Sequence, residues 1–350
     1  MSLPLITIIL TLFNNEISII ETLKSILDQT YPNIEILITD NGSFDNTVDV
    51  LEKYIKKNSN IRLLFEDAIP TVQAQKSTLI RAKGKYITFL ESGKLLSRNY
   101  IEYAISKLEE IDAQIISTEY FSIPFYTFYH SNNISKKSPQ EKIKIISNTE
   151  YLKNLYLKSE HNYQSCITLW NKIINKDWLL STTYLKETSE LVTSYDIIKQ
   201  PSTILTTNQI LICDVKYDEY YENICFNYEN MDKIEFLEQL LIQAKKENNS
   251  KAMYNTSIRL LKYLLFVRKQ LSYSDLEIIN PDELRNKVNL KFHSIYKFLT
   301  TKYPDTKIEY EQYKRNYNKL LNFEKKHFKT NLLFTERQQE DPLPIFLQKK

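Results

Sequence analysis

The sequence predicts an α/β fold: a mainly parallel central sheet flanked by helices, followed by an α-helical C-terminal domain. Three observations support this prediction. Short apolar segments rich in β-branched residues alternate with segments of helical period, which is typical of a parallel sheet with crossover helices. A length of 350 residues suits two domains. Beyond residue 226 the strand pattern ends and long helix-period segments replace it.

The alternation can be followed element by element from the N-terminus. Residues 5–13 (LITIILTLF) are apolar without helical period, as expected for a strand buried on both faces. Ile20 and Leu23 belong to a three-and-four spacing that predicts a helix over residues 16–29. The same patterns predict strands over 33–39, 61–65, 86–90 and 113–117, and helices over 47–57, 72–83 and 100–108.

We place the domain boundary between residues 225 and 226, which gives a sheet domain over 1–225 and a helical domain over 226–350. Apolar stripes on the C-terminal helices predict packing on the sheet domain or on a second copy of the chain, so a homo-oligomer is left open. The last predicted helix, 309–329, is basic and rich in tyrosine. A solvated helix face and a peripheral contact with a membrane surface both fit that composition.

Composition excludes several classes of protein. Lys and Arg outnumber Asp and Glu by 46 to 43, a net charge of +3 that predicts no nucleic-acid partner. The 3 glycines, Gly42, Gly84 and Gly93, cannot form GxGxxG or a P-loop. The 3 cysteines lack metal-ligand spacing, which predicts a reducing compartment. Because no segment reaches the about 18 apolar residues of a membrane span, we expect a cytoplasmic protein, with the inner face of the membrane left open.

The polar residues that follow the predicted parallel strands are candidate site residues, because ligands of such sheets lie beyond the carboxyl ends of the strands. They include Thr11, Asn14, Asp40, Asn41, Glu91 and Lys94. Asn41 and Ser43 also fit a simple turn that caps the next helix. Asp40 is different because it lies at the end of the strand itself. Residues 121–130 (FSIPFYTFYH) fit an apolar loop or edge strand and an aromatic wall for a sugar equally well.

Several motifs in this sequence resemble those of the family 2 glycosyltransferases with a GT-A fold. Asn14 and Glu16 follow the first strand in the expected places. The matching segments are 25–31 (SILDQTY), 35–43 (EILITDNGS), 45–47 (DNT), 82–87 (AKGKYI), 89–93 (FLESG) and, more weakly, 169–172 (LWNK). The resemblance covers the chain up to about residue 225 and no motif of the helical part matches.

The resemblance implies a hexosyltransferase that moves a sugar from a nucleotide-sugar donor, usually UDP-linked, to an acceptor hydroxyl with inversion. The acceptor expected is a cell-surface glycan or a glycoprotein. By resemblance, Asp40 meets the uracil or ribose of the donor. The other positions implied for the nucleotide sugar are Thr11, Asn14, Glu16, Asn41 and Lys94. A later acid deprotonates the acceptor hydroxyl, and Glu190 matches it best, with Asp196 as the second candidate.

The sequence departs from the family at the DxD positions, which normally hold Mn²⁺ or Mg²⁺ on the diphosphate. They read Glu91-Ser92-Gly93, so Glu91 is the remaining metal ligand and the cation site is expected to be weak. The next residue is Lys94, whose ammonium can offset phosphate charge. An exposed loop lysine is the alternative. Two functions therefore stay open: an active transferase, and a non-catalytic GT-A-like protein that binds or stabilises a partner transferase.

Overall fold

A computed structural model of the chain describes residues 3–129, 139–182, 195, 197–216, 229–273 and 280–327. They fall into two compact units, the first within Met1–Leu155 and Ser159–Asp218, the second within Tyr156–Lys158 and Glu219–Lys350. The predicted boundary between residues 225 and 226 lies outside the described residues, so it stays a prediction.

The first half of the first unit alternates strands and helices as the sequence predicts. Its elements are β1 (Ile6–Leu12), α1 (Ile19–Leu27), β2 (Ile34–Asp40), α2 (Thr47–Ile55), β3 (Ile61–Phe65), α3 (Thr71–Arg81) and β4 (Tyr86–Leu90). Helix α1 begins at Ile19 rather than at residue 16. Residues 16–18 form a turn that leads into the helix, with Ile19 N–H donating to the carbonyl oxygen of Asn15 at 3.0 Å.

The second half of this unit has shorter helices and a long last strand. Its elements are β5 (Lys94–Leu96), α4 (Tyr100–Ile111), β6 (Ile115–Pro124), α5 (Phe125–Tyr129), β7 (Ile143–Ser147), α6 (Asn148–Leu152), α7 (Glu160–Ile167), β8 (Lys172–Asn175), α8 (Lys176–Ser181) and β9 (Thr203–Lys216). Strand β6 extends beyond the predicted residues 113–117. The aromatic segment that begins at residue 121 therefore supplies the end of a strand and a short helix.

The described strands form one mixed sheet in the order β3-β2-β1-β4-β8-β6-β9-β5, with β7 paired to β9. The parallel part that the sequence predicts is β3-β2-β1-β4. Strand β8 runs antiparallel to both β4 and β6, which makes β4 and β6 parallel to each other. Strand β1 is at the centre of the parallel part, and its residues Ile6, Ile8 and Leu10 are fully buried. The carboxyl ends of β1, β2, β4 and β6 therefore lie at one edge of the sheet.

The second unit is helical, with α9 (Glu229–Lys246), α10 (Ser250–Tyr273), α11 (Pro281–Lys302) and α12 (Lys307–His327). Its interior contains the fully buried Arg268, which donates to both carboxylate oxygens of Glu324 at 2.6 and 2.5 Å. Such a bidentate pair is the geometry in which a buried guanidinium is best satisfied. Among the described residues, none of the helices has both the length and the apolar character that a membrane crossing requires.

Candidate functional site

The loops that follow β1 and β2 are hydrogen-bonded to each other. Asn14 donates its backbone N–H to Ser43 Oγ at 2.9 Å, and its side-chain oxygen accepts from the backbone N–H of Phe44 at 3.0 Å. Glu16 accepts from the backbone N–H of Asn46 at 3.0 Å, next to the start of α2. The predicted site residues Asn14 and Glu16 thus lie together at the strand ends, where they fix the shape of the two loops.

Asp40, the last residue of β2, is the most informative of the predicted site residues. Its side chain is 3% exposed, and Oδ2 accepts from the backbone N–H of Ser43 at 3.1 Å. The other carboxylate oxygen, Oδ1, is buried and has no hydrogen-bond partner among the described residues. The hydroxyl of Thr11, at the end of the neighbouring β1, is likewise buried and unpartnered there. Because a buried carboxylate oxygen is nearly always satisfied, Asp40 Oδ1 indicates a place for a donor group of a ligand. Thr11 pairs with Thr39 and Asp40 with Leu12, so the Thr11 hydroxyl lies on the other face of the sheet.

Asn41 has a structural partner. Its amide group donates to the carbonyl oxygen of Ile69 at 2.6 Å and accepts from the N–H of the same residue at 3.1 Å. It therefore fixes the loop between β3 and α3. A contact between Asn41 and a nucleotide stays a prediction.

Phe13 and Phe44 are two exposed aromatic residues that the sequence analysis did not single out. They lie in the loops after β1 and β2, with ring centroids 5.8 Å apart in an edge-to-face arrangement, and are 51% and 83% exposed. The two rings offer an exposed aromatic surface on which a planar nucleobase can stack. The sequence signal that could have identified Phe13 is its position directly before the candidate site residue Asn14.

The segment after β4 contains the predicted metal ligand Glu91. Its side chain is 48% exposed, and Oε2 lies 3.4 Å from Lys94 Nζ. Gly93 has a φ of 87° and donates its N–H to Thr22 Oγ1 at 2.9 Å. The Gly93 backbone and the Thr22 hydroxyl therefore attach this segment to α1. Glu91 is the residue of the segment that carries a carboxylate.

Lys94 is a buried residue of β5, so the alternative of an exposed loop lysine is wrong. Its residue exposure is 8%, and Nζ donates to Asp214 Oδ1 at 2.8 Å. Burial alone would lower the pKa of Lys94, but the carboxylates of Glu91 and Asp214 outweigh it and raise the pKa to about 12. Two carboxylates thus keep this ammonium charged.

Asp214, on β9, is a site residue that the sequence analysis missed. It is 2% exposed, and its Oδ2 accepts from Lys216 at 2.8 Å and from the Ser122 hydroxyl at 2.9 Å. Burial by itself would raise the pKa of Asp214, yet Lys94 and Lys216 together hold the pKa below its ordinary value. Its partner Lys94 is 120 positions away in the sequence, which no local pattern could reveal.

The described residues at the end of β4 do not fit a protein-held divalent cation. Mg²⁺ on a diphosphate is normally held by one or two carboxylates besides phosphates and waters. Gly93 offers none, and the Glu91 carboxylate already faces the Lys94 ammonium. No group of three or more His, Cys, Asp or Glu in the described part of the chain is arranged to hold a metal ion.

The LWNK segment attaches α7 to the sheet. Asn171 donates to Ser165 Oγ at 2.9 Å, and Lys172 Nζ donates to the backbone oxygens of Ser165 and Thr168, both at 2.6 Å. Burial lowers the pKa of Lys172 to about 7. Trp170 lies under Lys94, whose Nζ is 5.1 Å from the centre of the indole. The predicted base Glu190, like Asp196, lies outside the described residues.

Comparisons with known proteins find glycosyltransferases among the curated relatives of this chain. GlyG, a glycosyltransferase of Streptococcus pneumoniae, is 31% identical over 119 residues, which are 34% of this chain and 40% of GlyG. The cholesterol galactosyltransferase of Borreliella burgdorferi is 23% identical over 181 residues, 50% of this chain and 49% of the relative. The chain thus spans less than half the length of these curated relatives.

The fold has a counterpart among solved structures. Residues 1–349 of Staphylococcus aureus TarS, solved with UDP-GlcNAc, match with a TM-score of 0.55 and 14% identity, over 90% of this chain and 92% of that one. That likeness concerns the fold alone. The sequence model described as "Glycosyl transferase family 2" matches residues 7–178, the region that contains the strand ends described above. Residues 7–178 of this chain therefore belong to glycosyl transferase family 2, and the fold is of the α/β, GT-A type.

Proposed function

We propose that this chain transfers a sugar from a UDP-linked nucleotide-sugar donor to a hydroxyl of a glycan or protein acceptor, with inversion at the anomeric carbon. Family membership and the names of its relatives support the reaction class. The observation that supports the donor site is Asp40 Oδ1, a buried carboxylate oxygen without a partner among the described residues, at the end of β2.

The nucleoside is proposed to bind at the ends of β1 and β2. Asp40 Oδ1 accepts a hydrogen bond from the uracil imide or from a ribose hydroxyl. Thr11 lies on the other face of the sheet, so a contact between Thr11 and the donor stays a prediction. The exposed rings of Phe13 and Phe44 cover one face of the base. Glu91, half exposed at the end of β4, is proposed to accept hydrogen bonds from ribose hydroxyls.

The diphosphate is proposed to lie beside Lys94. An ammonium group has three hydrogens, and the carboxylates of Asp214 and Glu91 take two of them. The third is left for a phosphate oxygen. Because an ammonium offsets phosphate charge without a fixed coordination geometry, this arrangement needs no carboxylate at Gly93.

The reaction then proceeds as a single displacement. The acceptor oxygen attacks the anomeric carbon from the face opposite the diphosphate. The bond from that carbon to the diphosphate breaks, and UDP leaves with the electron pair. The acceptor proton passes to a carboxylate, assigned to Glu190 by resemblance. Lys94 stabilises the charge that develops on the leaving group. We expect the reaction to take place in the cytoplasm or at the inner face of the membrane.

Calorimetric titration with UDP tests the donor site. In Asp40→Asn, the amide oxygen can still accept from Ser43 while the NH₂ group replaces Oδ1 and cannot accept a hydrogen bond. We expect at least about tenfold weaker UDP binding, because a hydrogen bond to a charged group contributes about 1.5–3 kcal/mol. Glu35→Gln, at the opposite end of the same strand, is the matched control and should bind UDP as the wild type does. Equal affinity of Asp40→Asn and wild type would refute the assignment.

A second candidate function is a non-catalytic protein that binds or stabilises a partner transferase. It is favoured by Gly93, which lacks the expected carboxylate, and by Lys94, which two carboxylates already engage. The same titration separates the two candidates. The titration is therefore repeated with a panel of nucleotide diphosphates, and a chain that binds none of them, with or without Mn²⁺, favours the non-catalytic protein.

A further inference from the structure

Glu119 and His161 form a hydrogen-bonded pair that the donor site does not use. His161 Nε2 lies 2.6 Å from Glu119 Oε2, and the two side chains are 39% and 40% exposed. In the described part of the chain, Glu119 Oε1 and His161 Nδ1 make no further hydrogen bond. The pair therefore offers one carboxylate oxygen and one imidazole nitrogen to an incoming molecule.

Glu119 lies at an irregularity in β6. The pairing of β6 with β9 changes register on both sides of Glu119, between Ser117 and Glu119 and again between Glu119 and Tyr120. Such bulges interrupt the alternation of side chains along a strand and are found where a side chain must be redirected, often beside active sites. Here the residue at the irregularity is an acid.

The strand register gives the position of Glu119 relative to the donor site. Ile174 of β8 pairs with Ile87 of β4 and with Ile115 of β6. Four residues beyond these two partners lie Glu91 and Glu119. The two acids are therefore at the same edge of the sheet, at the ends of two strands that β8 separates.

Side-chain contacts connect the two places directly. Lys94 Nζ lies 5.1 Å from the centre of the Trp170 ring, and Trp170 meets Tyr120 edge to face at 4.6 Å. Tyr120 in turn stacks on His161 at 4.4 Å, with an angle of 29° between the rings. The Glu119–His161 pair is thus separated from the proposed diphosphate position by two aromatic rings.

This spacing suits the acceptor. In an inverting displacement the acceptor must approach from the side opposite the diphosphate, so a donor whose phosphates lie beside Lys94 leaves the end of β6 for the acceptor. A carboxylate oxygen and an imidazole nitrogen beside an aromatic stack can hydrogen-bond neighbouring hydroxyls of a sugar ring. We propose that Glu119 and His161 bind the acceptor, and that this acceptor presents a hydroxyl-bearing sugar ring. The inference rests on the proposed transferase function.

The test uses the full-length chain labelled with ¹⁵N and saturated with UDP. Methyl β-glycosides of glucose, galactose and N-acetylglucosamine are titrated in, and the two indole N–H signals of the chain are followed. Trp170 touches the aromatic stack, and Trp178 serves as the internal control. We expect at least one glycoside to shift the Trp170 signal saturably and to leave the Trp178 signal in place.

Two variants separate binding from structure. Glu119→Gln keeps the shape of the side chain, and His161→Phe keeps a ring against Tyr120. Each should weaken the glycoside about tenfold or more with an unchanged melting temperature. Glu109→Gln, a partly exposed acid bonded to Lys85 at the start of β4, is the control and should bind the glycoside as the wild type does.

The outcomes are distinguishable. If UDP binds but none of the glycosides shifts the Trp170 signal, or if Glu119→Gln and His161→Phe bind as tightly as the wild type, the acceptor assignment is overturned while the proposed function stands. If UDP itself does not bind, the acceptor assignment and the proposed function are both overturned.

Discussion

Replacing Lys94 by methionine removes a buried ammonium and leaves the buried carboxylate of Asp214 with fewer partners. Lys94 Nζ lies 2.8 Å from Asp214 Oδ1, and the two side chains are 10% and 3% exposed. Removing one partner of such a buried pair costs about 3–5 kcal/mol. Asp214 keeps Lys216 and Ser122 on its other oxygen. We therefore expect the lower end, about 3 kcal/mol of lost unfolding free energy.

Urea unfolding followed by tryptophan fluorescence measures this loss in the sheet unit alone, because both tryptophans, Trp170 and Trp178, belong to it. With a urea dependence of about 2 kcal/mol per M, Lys94→Met should unfold at about 1.5 M lower urea than the wild type. Lys24→Met is the control. Lys24 pairs with Glu21 at 2.7 Å, but the side chains are 56% and 37% exposed, so its loss should cost about 1 kcal/mol or less. Equal midpoints for the two variants would show that the buried Lys94–Asp214 pair stabilises the sheet unit no more than the exposed pair does.

The difference in unfolding free energy between the wild type and Lys94→Met should depend on pH, because the pKa values of Asp214 and Lys94 are both shifted in the folded protein. Asp214 has a lowered pKa in the folded protein, so it stabilises above its unfolded value of about 3.9 and loses that contribution as pH falls through the lowered pKa. Lys94 has a pKa raised from 10.5 to about 12, so its contribution is complete below 10.5 and disappears as pH rises through about 12. The difference in unfolding free energy between the wild type and Lys94→Met should be constant from about pH 4 to pH 10. It should become smaller below and above that range.

Three further predictions concern other parts of the chain. The affinity for UDP should be the same in EDTA as in Mn²⁺, because Gly93 supplies no carboxylate and Glu91 faces Lys94; calorimetry in the two buffers checks this, and a marked gain in Mn²⁺ would contradict it. Gly84→Ala should destabilise the sheet unit by about 1–3 kcal/mol in urea, because a Cβ there would lie 2.5 Å from the backbone nitrogen of Thr7; an unchanged midpoint would show that the backbone yields without cost. Arg268→Met should lower the unfolding free energy of the helical unit by about 3–5 kcal/mol, because it leaves the buried Glu324 unpaired. Far-ultraviolet circular dichroism should show a lower unfolding midpoint, while the transition followed by tryptophan fluorescence stays unchanged. A wild-type dichroism transition would mean that Glu324 finds other partners.

The parallel part of the fold could be predicted from the sequence because its signals are local. Segments such as residues 5–13 are apolar without helical period, and their burial on both faces of the sheet needs no other information. Asp40 could also be identified from its sequence neighbours, because it is a polar residue directly at the end of an apolar strand. In the structure, Asp40 Oδ1 is buried there without a partner among the described residues.

The remaining features depend on contacts between distant segments. Strand β8 makes the sheet mixed, and its direction is set by pairing with β4 and β6. The sequence of its four residues does not indicate that direction. The burial of Lys94 follows from its register opposite Asp214 on β9, and the exposure of Glu119 from an irregularity between β6 and β9. Phe13 escaped notice because it continues the apolar run of β1, although it lies in the loop beyond the strand.

A crystal structure of the chain with UDP tests the proposed donor site. We expect the nucleotide at the ends of β1, β2 and β4, with a uracil or ribose donor within hydrogen-bond distance, about 2.7–3.2 Å, of Asp40 Oδ1 and the base against Phe13 or Phe44. We also expect a phosphate oxygen beside Lys94 Nζ. UDP bound elsewhere, or bound there with Asp40 Oδ1 still unpartnered, would overturn the proposed donor site.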